Sequence, residues 1–158
     1  MIAVIGCGNT NRRDDGVGSA VIRGLAARGA ARDGEVTLLD AGTDGLAVMF
    51  AARGCRRLIL VDACRSGSAP GAIFEIPGAE LEAPNPPSLS THDFRWEHAL
   101  HAGRRIFGDA FPKDVTVLLI EAADIGFGLD LTPAVAAAAA KVADRIAALA
   151  ATPAEPAA

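Results

Sequence analysis

Four runs of apolar residues have the length of β-strands without strict alternation: IAVIG at 2–6, EVTLL at 35–39, RLILV at 57–61 and VTVLLI at 115–120. Strands of a parallel sheet covered on both faces read this way, because neither side of the pleat meets water. Between these runs the apolar positions recur every three or four residues. Val17, Val21 and Leu25 mark a first helix that Gly29 ends, and Leu46, Val48, Met49 and Ala52 mark a second, ended at Gly54. A third helix is expected from Asp93 to Phe107. The last is defined by Thr132 as N-cap, Pro133 at the first helical position, and Val135, Val142, Ile146 and Leu149 on one face. GAIFEI at 71–76 follows the turn RSGSAPG too closely for a crossover helix, which predicts an antiparallel edge strand.

The alternation of strand and helix predicts an α/β fold. It is a three-layer α/β/α sandwich around a mostly parallel sheet of about five strands, one of them an antiparallel edge strand. One domain is expected over residues 1–150, followed by a disordered tail, ATPAEPAA at 151–158. With 158 residues, 51% of them hydrophobic, the chain can bury a core without metals or disulfides as staples.

Charge narrows the partners. The net charge is −4 and the arginines are scattered instead of forming a stripe, so the footprint of a nucleic-acid binder is missing. Cys7, Cys55 and Cys64 are an odd number at irregular spacing, as expected of buried thiols in a reducing, cytoplasmic compartment. MIAVIG is too short for a signal peptide and no window approaches a membrane span, so no membrane partner is expected.

In a parallel sheet, ligands bind beyond the carboxyl ends of the strands. Every main strand delivers acid to that edge: Asp14 and Asp15 after the first, Asp40 after the second, Asp62 after the third, and Glu121 with Asp124 after the fourth. Asp14 reads most simply as the N-cap of the first helix and Asp15 as a first-turn acid. Yet Gly16 and Gly18 follow at once, and glycine in a helix costs about 1 kcal/mol against alanine, so something requires bare backbone there. Asp62 directly follows an apolar strand, where an unpaired carboxylate is poorly solvated. Converging carboxylates repel unless a cation neutralises them or one takes up a proton, which leaves a metal site or an acid pair. Of three histidines, His92 lies in a loop at the start of the third helix. His98 and His101 stand one turn apart within it, without HExxH or HxxEH around them.

GxGNxxxxDDGxG after the first strand, VDA ending the third and STH before the third helix together resemble the nickel-iron hydrogenase maturation endopeptidases, in the same order. The resemblance spans almost the whole domain. It implies that Asp15, Asp62 and His92 form a nickel site, that Asp40 assists by orienting a ligand or handling protons, and that all four serve catalysis. The implied activity is removal of a C-terminal extension from the hydrogenase large-subunit precursor once nickel has been inserted. Nickel then acts as recognition element, shared with or supplied by the substrate, and the enzyme is expected to be a monomeric, aspartic-type endopeptidase. Two segments depart from the family: LIEAADIGFG stands where many relatives carry a GxQP-like stretch, and the third helix is unusually polar. Both are expected to face the substrate.

Two other readings fare less well. A receiver domain would share Asp14, Asp15 and Asp62, but the acidic pair sits eight residues beyond the first apolar run and no lysine follows VTVLLI. GCGNTN lacks both the third glycine of GxGxxG and a P-loop lysine, against nucleotide binding. A non-catalytic nickel-sensing chaperone of the precursor would use the same three ligands as the protease. No Ser-His-Asp or Cys-His arrangement is evident, and Cys7 between two glycines reads as a packed residue.

Overall fold

The computed structural model describes residues 1–31, 34–84 and 93–153. Five strands form one sheet: β1 (Ile2–Cys7), β2 (Val36–Gly42), β3 (Arg57–Cys64), β4 (Ile73–Pro77) and β5 (Asp114–Glu121). Their order is β2-β1-β3-β5-β4. All pairings are parallel except β4 with β5, so the edge strand expected after the RSGSAPG turn is present.

Helices α1 (Val17–Ala27) and α4 (Pro133–Ala151) cover one face, and α2 (Gly45–Ala52) and α3 (Trp96–Phe107) the other. Alternate residues of each strand feed the two layers. Leu58 and Leu60 pack with Val48, Ala99 and Leu100, while Ile59 and Val61 pack with Val21, Val142 and Ile146. This two-sided burial is why the strands read as unbroken apolar runs.

Three strands run further than their apolar runs. β2 continues through Asp40 to Gly42, β3 through Asp62 to Cys64, and β5 through Glu121. Parallel pairing carries them on: Asp62 is in register with Leu119 and Cys64 with Glu121. The acids expected just beyond the strands therefore lie within their last residues, and their side chains are aimed by the pleat. Helix α3 begins at Trp96, later than Asp93, because Arg95 is extended and its amide donates to Nδ1 of His98 at 3.2 Å.

Two cap expectations change. Asp14 does not cap α1; it lies in a 3-10 turn, Arg13–Gly16, and Gly16 occupies the N-cap position. Thr132 does stand at the N-cap of α4 with Pro133 next, but its hydroxyl donates to Asp14 instead of capping. At the other end, the tail is anchored further than expected. Ala151 is helical, and the buried Arg57 donates to Leu149 O and, at 3.2 Å, to the carbonyls of Thr152 and Pro153, while pairing with Asp114 at 2.7 Å. Residues 154–158 lie outside those described.

Candidate active site

The sheet order reverses at β1: the chain leaves it for β2 on one side and returns to β3 on the other. The loops after β1 and β3 therefore diverge and leave a crevice at their carboxyl ends. A cleft of about 850 Å³ opens there, lined by Cys7, Gly8, Asp15, Asp62, Arg95 and Trp96 among others.

Asp62 is the buried member, 4% exposed. It belongs to the same face of β3 as Leu58 and Leu60, so its carboxyl enters the α2/α3 layer. Oδ1 accepts the Ala63 amide at 2.8 Å and Oδ2 accepts the indole Nε1 of Trp96 at 2.8 Å. Arg95 Nη2 stands 3.9 Å from Oδ2. Burial raises the Asp62 pKa to about 6; the bonds from Trp96 and Ala63 and the charge of Arg95 oppose it, and the negative charge of Asp15 adds to the rise. This carboxyl can hold or release a proton near neutral pH.

Asp15 comes to the same cleft from the 3-10 turn. Its Oδ2 accepts the Asn9 amide at 2.8 Å, and its other oxygen has no hydrogen bond among the described residues. The bare backbone of the first loop is explained here. Gly8 has φ +117°, and a Cβ on it would stand 1.9 Å from the Asp15 carbonyl oxygen and 3.4 Å from Asp62 Oδ1. A Cβ on Gly18 would meet the backbone of Cys7 at 2.4 Å and the Val61 carbonyl at 2.7 Å. These glycines let the start of α1 lie directly on the ends of β1 and β3, which holds Asp15 beside Asp62.

Asp40 is not brought to the cleft. It points to the opposite face of the sheet, where it accepts the Ser19 hydroxyl of α1 and, at 3.2 Å, the Gly42 amide. His92 lies outside the described residues. His98 is occupied by the Arg95 amide, and no three His, Cys, Asp or Glu side chains among the described residues converge as a metal site. The fit to a divalent cation rests on the donor set of the cleft. Asp15, whose second oxygen has no hydrogen bond among the described residues, and Asp62 bring carboxylate oxygens to one cleft, the kind of donor that hard divalent cations take.

The other strand-end acids are structural clamps. Asp14, fully buried, accepts the amides of Ala123, Asp124 and Thr132 at 2.7–3.0 Å. Burial alone would raise its pKa, but the bonds from Thr132, Asp124 and Ala123 together bring it below the usual value. Glu121 accepts the hydroxyl and amide of Ser66 and the amide of Gly67 at 2.7–3.0 Å, which fixes the loop between β3 and β4. Those bonds, the Ser66 hydroxyl first, lower its pKa to about 2. Cys7 is buried on the cleft floor, and burial with the nearby Asp62 charge raises its pKa far above the thiol's ordinary value. It is a poor nucleophile there.

A model of the family HycI, hydrogenase maturation protease, matches residues 19–149. The chain belongs to the hydrogenase maturation protease family. It is an endopeptidase of hydrogenase maturation, in agreement with the resemblance carried by the sequence motifs.

Solved structures agree in fold. The hydrogenase maturating endopeptidase HybD of E. coli has 24% identity over 94% of this chain and 90% of its own, with a TM-score of 0.74. A hydrogenase 3 maturation protease has 26% identity over 92% of this chain and 88% of its own, with a TM-score of 0.69. HybD of Thermococcus kodakarensis has 22% identity over 94% and 98%, with a TM-score of 0.74. No curated protein sequence matches the chain. Among the described residues, no helix is long and apolar enough to cross a membrane.

Within this family frame, the structure adds groups that the motifs did not single out. Trp96, Arg95 and Glu97 bring the N-terminus of α3 into the cleft. Glu97 Oε2 is buried without a hydrogen bond among the described residues and pairs only with Arg95 Nε at 3.7 Å. Arg12 and Arg65 supply positive charge at the rim. The signal in the sequence was the lone tryptophan, close after the loop histidine in a polar helix; only its contact with Asp62 gives it meaning.

Proposed function

We propose that this protease removes a C-terminal extension from the large-subunit precursor of a nickel-iron hydrogenase after nickel insertion, with the substrate's nickel as recognition element. The observation that carries the reading is the pairing of Asp15 and Asp62 in one cleft at the crevice of the sheet. Asp15 offers a carboxylate oxygen with no hydrogen bond among the described residues, and Asp62 offers a buried carboxyl whose pKa of about 6 is set mainly by burial. A cation carried in by the substrate would relieve the repulsion between them. His92 is the third ligand in this reading.

Catalysis in this scheme rests on positioning. Asp62 holds or moves a proton at its carboxyl, fixed in direction by Trp96 and Ala63. Asp40 acts at one remove. It braces the end of β2 through Ser19 and Gly42, and Gly42 and Thr43 form the cleft edge. The enzyme works as a monomer in the cytoplasm.

The test is intact mass of a nickel-loaded precursor before and after incubation with the protein, beside the same precursor without nickel. Loss of one discrete C-terminal peptide from the loaded form alone is expected. Binding without any change of mass would replace the protease reading with that of a nickel-sensing chaperone.

A further inference from the structure

The loop between β5 and α4 displays Phe127, 90% exposed, and Leu129, 77% exposed. Isolated apolar side chains on a surface are ordinary. These two differ because their backbone is tied down on the segment that carries Asp15. The Arg13 amide donates to the Gly128 carbonyl at 2.9 Å, and the Gly128 amide to the Asn11 carbonyl at 3.0 Å. Arg12 Nε donates to the Ile125 carbonyl at 3.1 Å, and Arg13 Nε to the Phe127 carbonyl at 3.3 Å. Asp14 holds the start of the loop from inside. The chain thus fixes a large aromatic and a large aliphatic side chain in water, where neither contributes burial to folding.

The same loop reaches the cleft. Ile125, two residues before Phe127, lines it together with Arg12. A protease that trims the end of a protein must seat the body of that protein outside the cleft. Specific protein interfaces bury about 800 Å² per partner, concentrate their affinity in a few anchors, aromatic ones foremost, and gain when the contacting groups are held in place before binding. A pinned loop at the cleft edge meets that requirement, because little ordering remains to be done on binding.

We infer that Phe127 and Leu129 form a docking surface for the folded body of the protein substrate, which seats an apolar patch on this loop while its C-terminal extension enters the cleft beside Ile125. This inference rests on the function proposed above. Arg12 and Arg13 donate to carbonyls of the same loop, so docking and the placement of Asp15 share one segment.

The test is initial-rate processing of the nickel-loaded precursor over a range of concentrations by the wild-type protein, the double variant F127S/L129S and the control Ile106→Ser. Ile106 is 64% exposed but stands near the far end of α3. The inference expects KM for the precursor to rise about tenfold in the double variant and to stay at the wild-type value in the control. Equal KM in wild type and double variant overturns it. So does a fall in kcat with KM unmoved, which would assign the loop to the support of Asp15. If light scattering shows a wild-type dimer that the double variant loses, with KM unmoved, the patch belongs to a second copy of this chain and the inference fails. Absence of processing by the wild-type protein is a different result: it removes the proposed function, and this docking surface with it.

Discussion

Trp96 donates its indole N–H to Oδ2 of Asp62 at 2.8 Å across the floor of the cleft, with Trp96 5% and Asp62 4% exposed. An indole can only donate, so this contact points the carboxyl in one direction and favours its ionised form. The first residue of α3 thereby sets the state of the last part of β3.

Replacing Trp96 with Phe removes that donor while keeping an aromatic in place. A hydrogen bond to a charged group is worth about 1.5–3 kcal/mol, so the Asp62 pKa should move up by about one unit or more from its raised value. The acid limb of kcat/KM against pH for precursor processing should shift to higher pH, with activity near pH 6.5 reduced about threefold or more and largely restored near pH 8.5. An unshifted limb would show that Trp96 is only packing.

Asp62→Asn should abolish processing and yet make the protein more stable above neutrality. The folded pKa of about 6 lies above the ordinary value of 3.8, so between those values the native state holds a proton that the unfolded chain has released. Stability contributed by this group therefore falls as pH rises through that window, and the penalty is complete above about pH 6. The shift corresponds to about 3 kcal/mol at most, of which the loss of charge-assisted bonds returns a large part. A net gain of about 1 kcal/mol, read as about 2–4 °C in Tm at pH 8, is expected. A lower Tm at pH 8 would contradict this account of Asp62.

Asp14→Ala should be among the most damaging substitutions although Asp14 sits beside the site acid. It leaves the part-buried amides of Ala123, Asp124 and Thr132 without their shared acceptor together. A loss of about 3–4 kcal/mol is expected, enough to lower Tm by about 6–16 °C. Chemical denaturation of the purified variant measures it; a loss below about 1 kcal/mol would mean that the loop before α4 is held by other contacts.

Glu121→Gln tests the second clamp through acid unfolding. With its pKa lowered to about 2 by bonds from Ser66, Glu121 contributes stability above its ordinary value of 4.5, and this is lost as pH falls from there towards 2. The glutamine variant should be less stable at pH 7 and should lose less on acidification across that window than the wild type. Parallel stability curves for the two proteins would show that the carboxylate charge is irrelevant there.

The sequence by itself determined the layers. Unbroken apolar runs such as RLILV and the helical periodicity around α1 and α4 admit few arrangements besides a parallel sheet covered on both faces, and the RSGSAPG turn required a reversed edge strand. It also made Asp15 and Asp62 candidates, because motif spacing and strand ends are local properties. The roles of the acids were decided by contacts between residues distant in the chain. Asp14 and Asp15 are neighbours with opposite duties, since the 3-10 turn sends one carboxyl inward to Thr132 and the other to the cleft. Asp40 and Asp62 both end strands, but each is aimed by its position in the pleat, one at Ser19 and the other at Trp96. A carboxylate's function depends on which donors and charges surround it, and a sequence records the group without recording those surroundings.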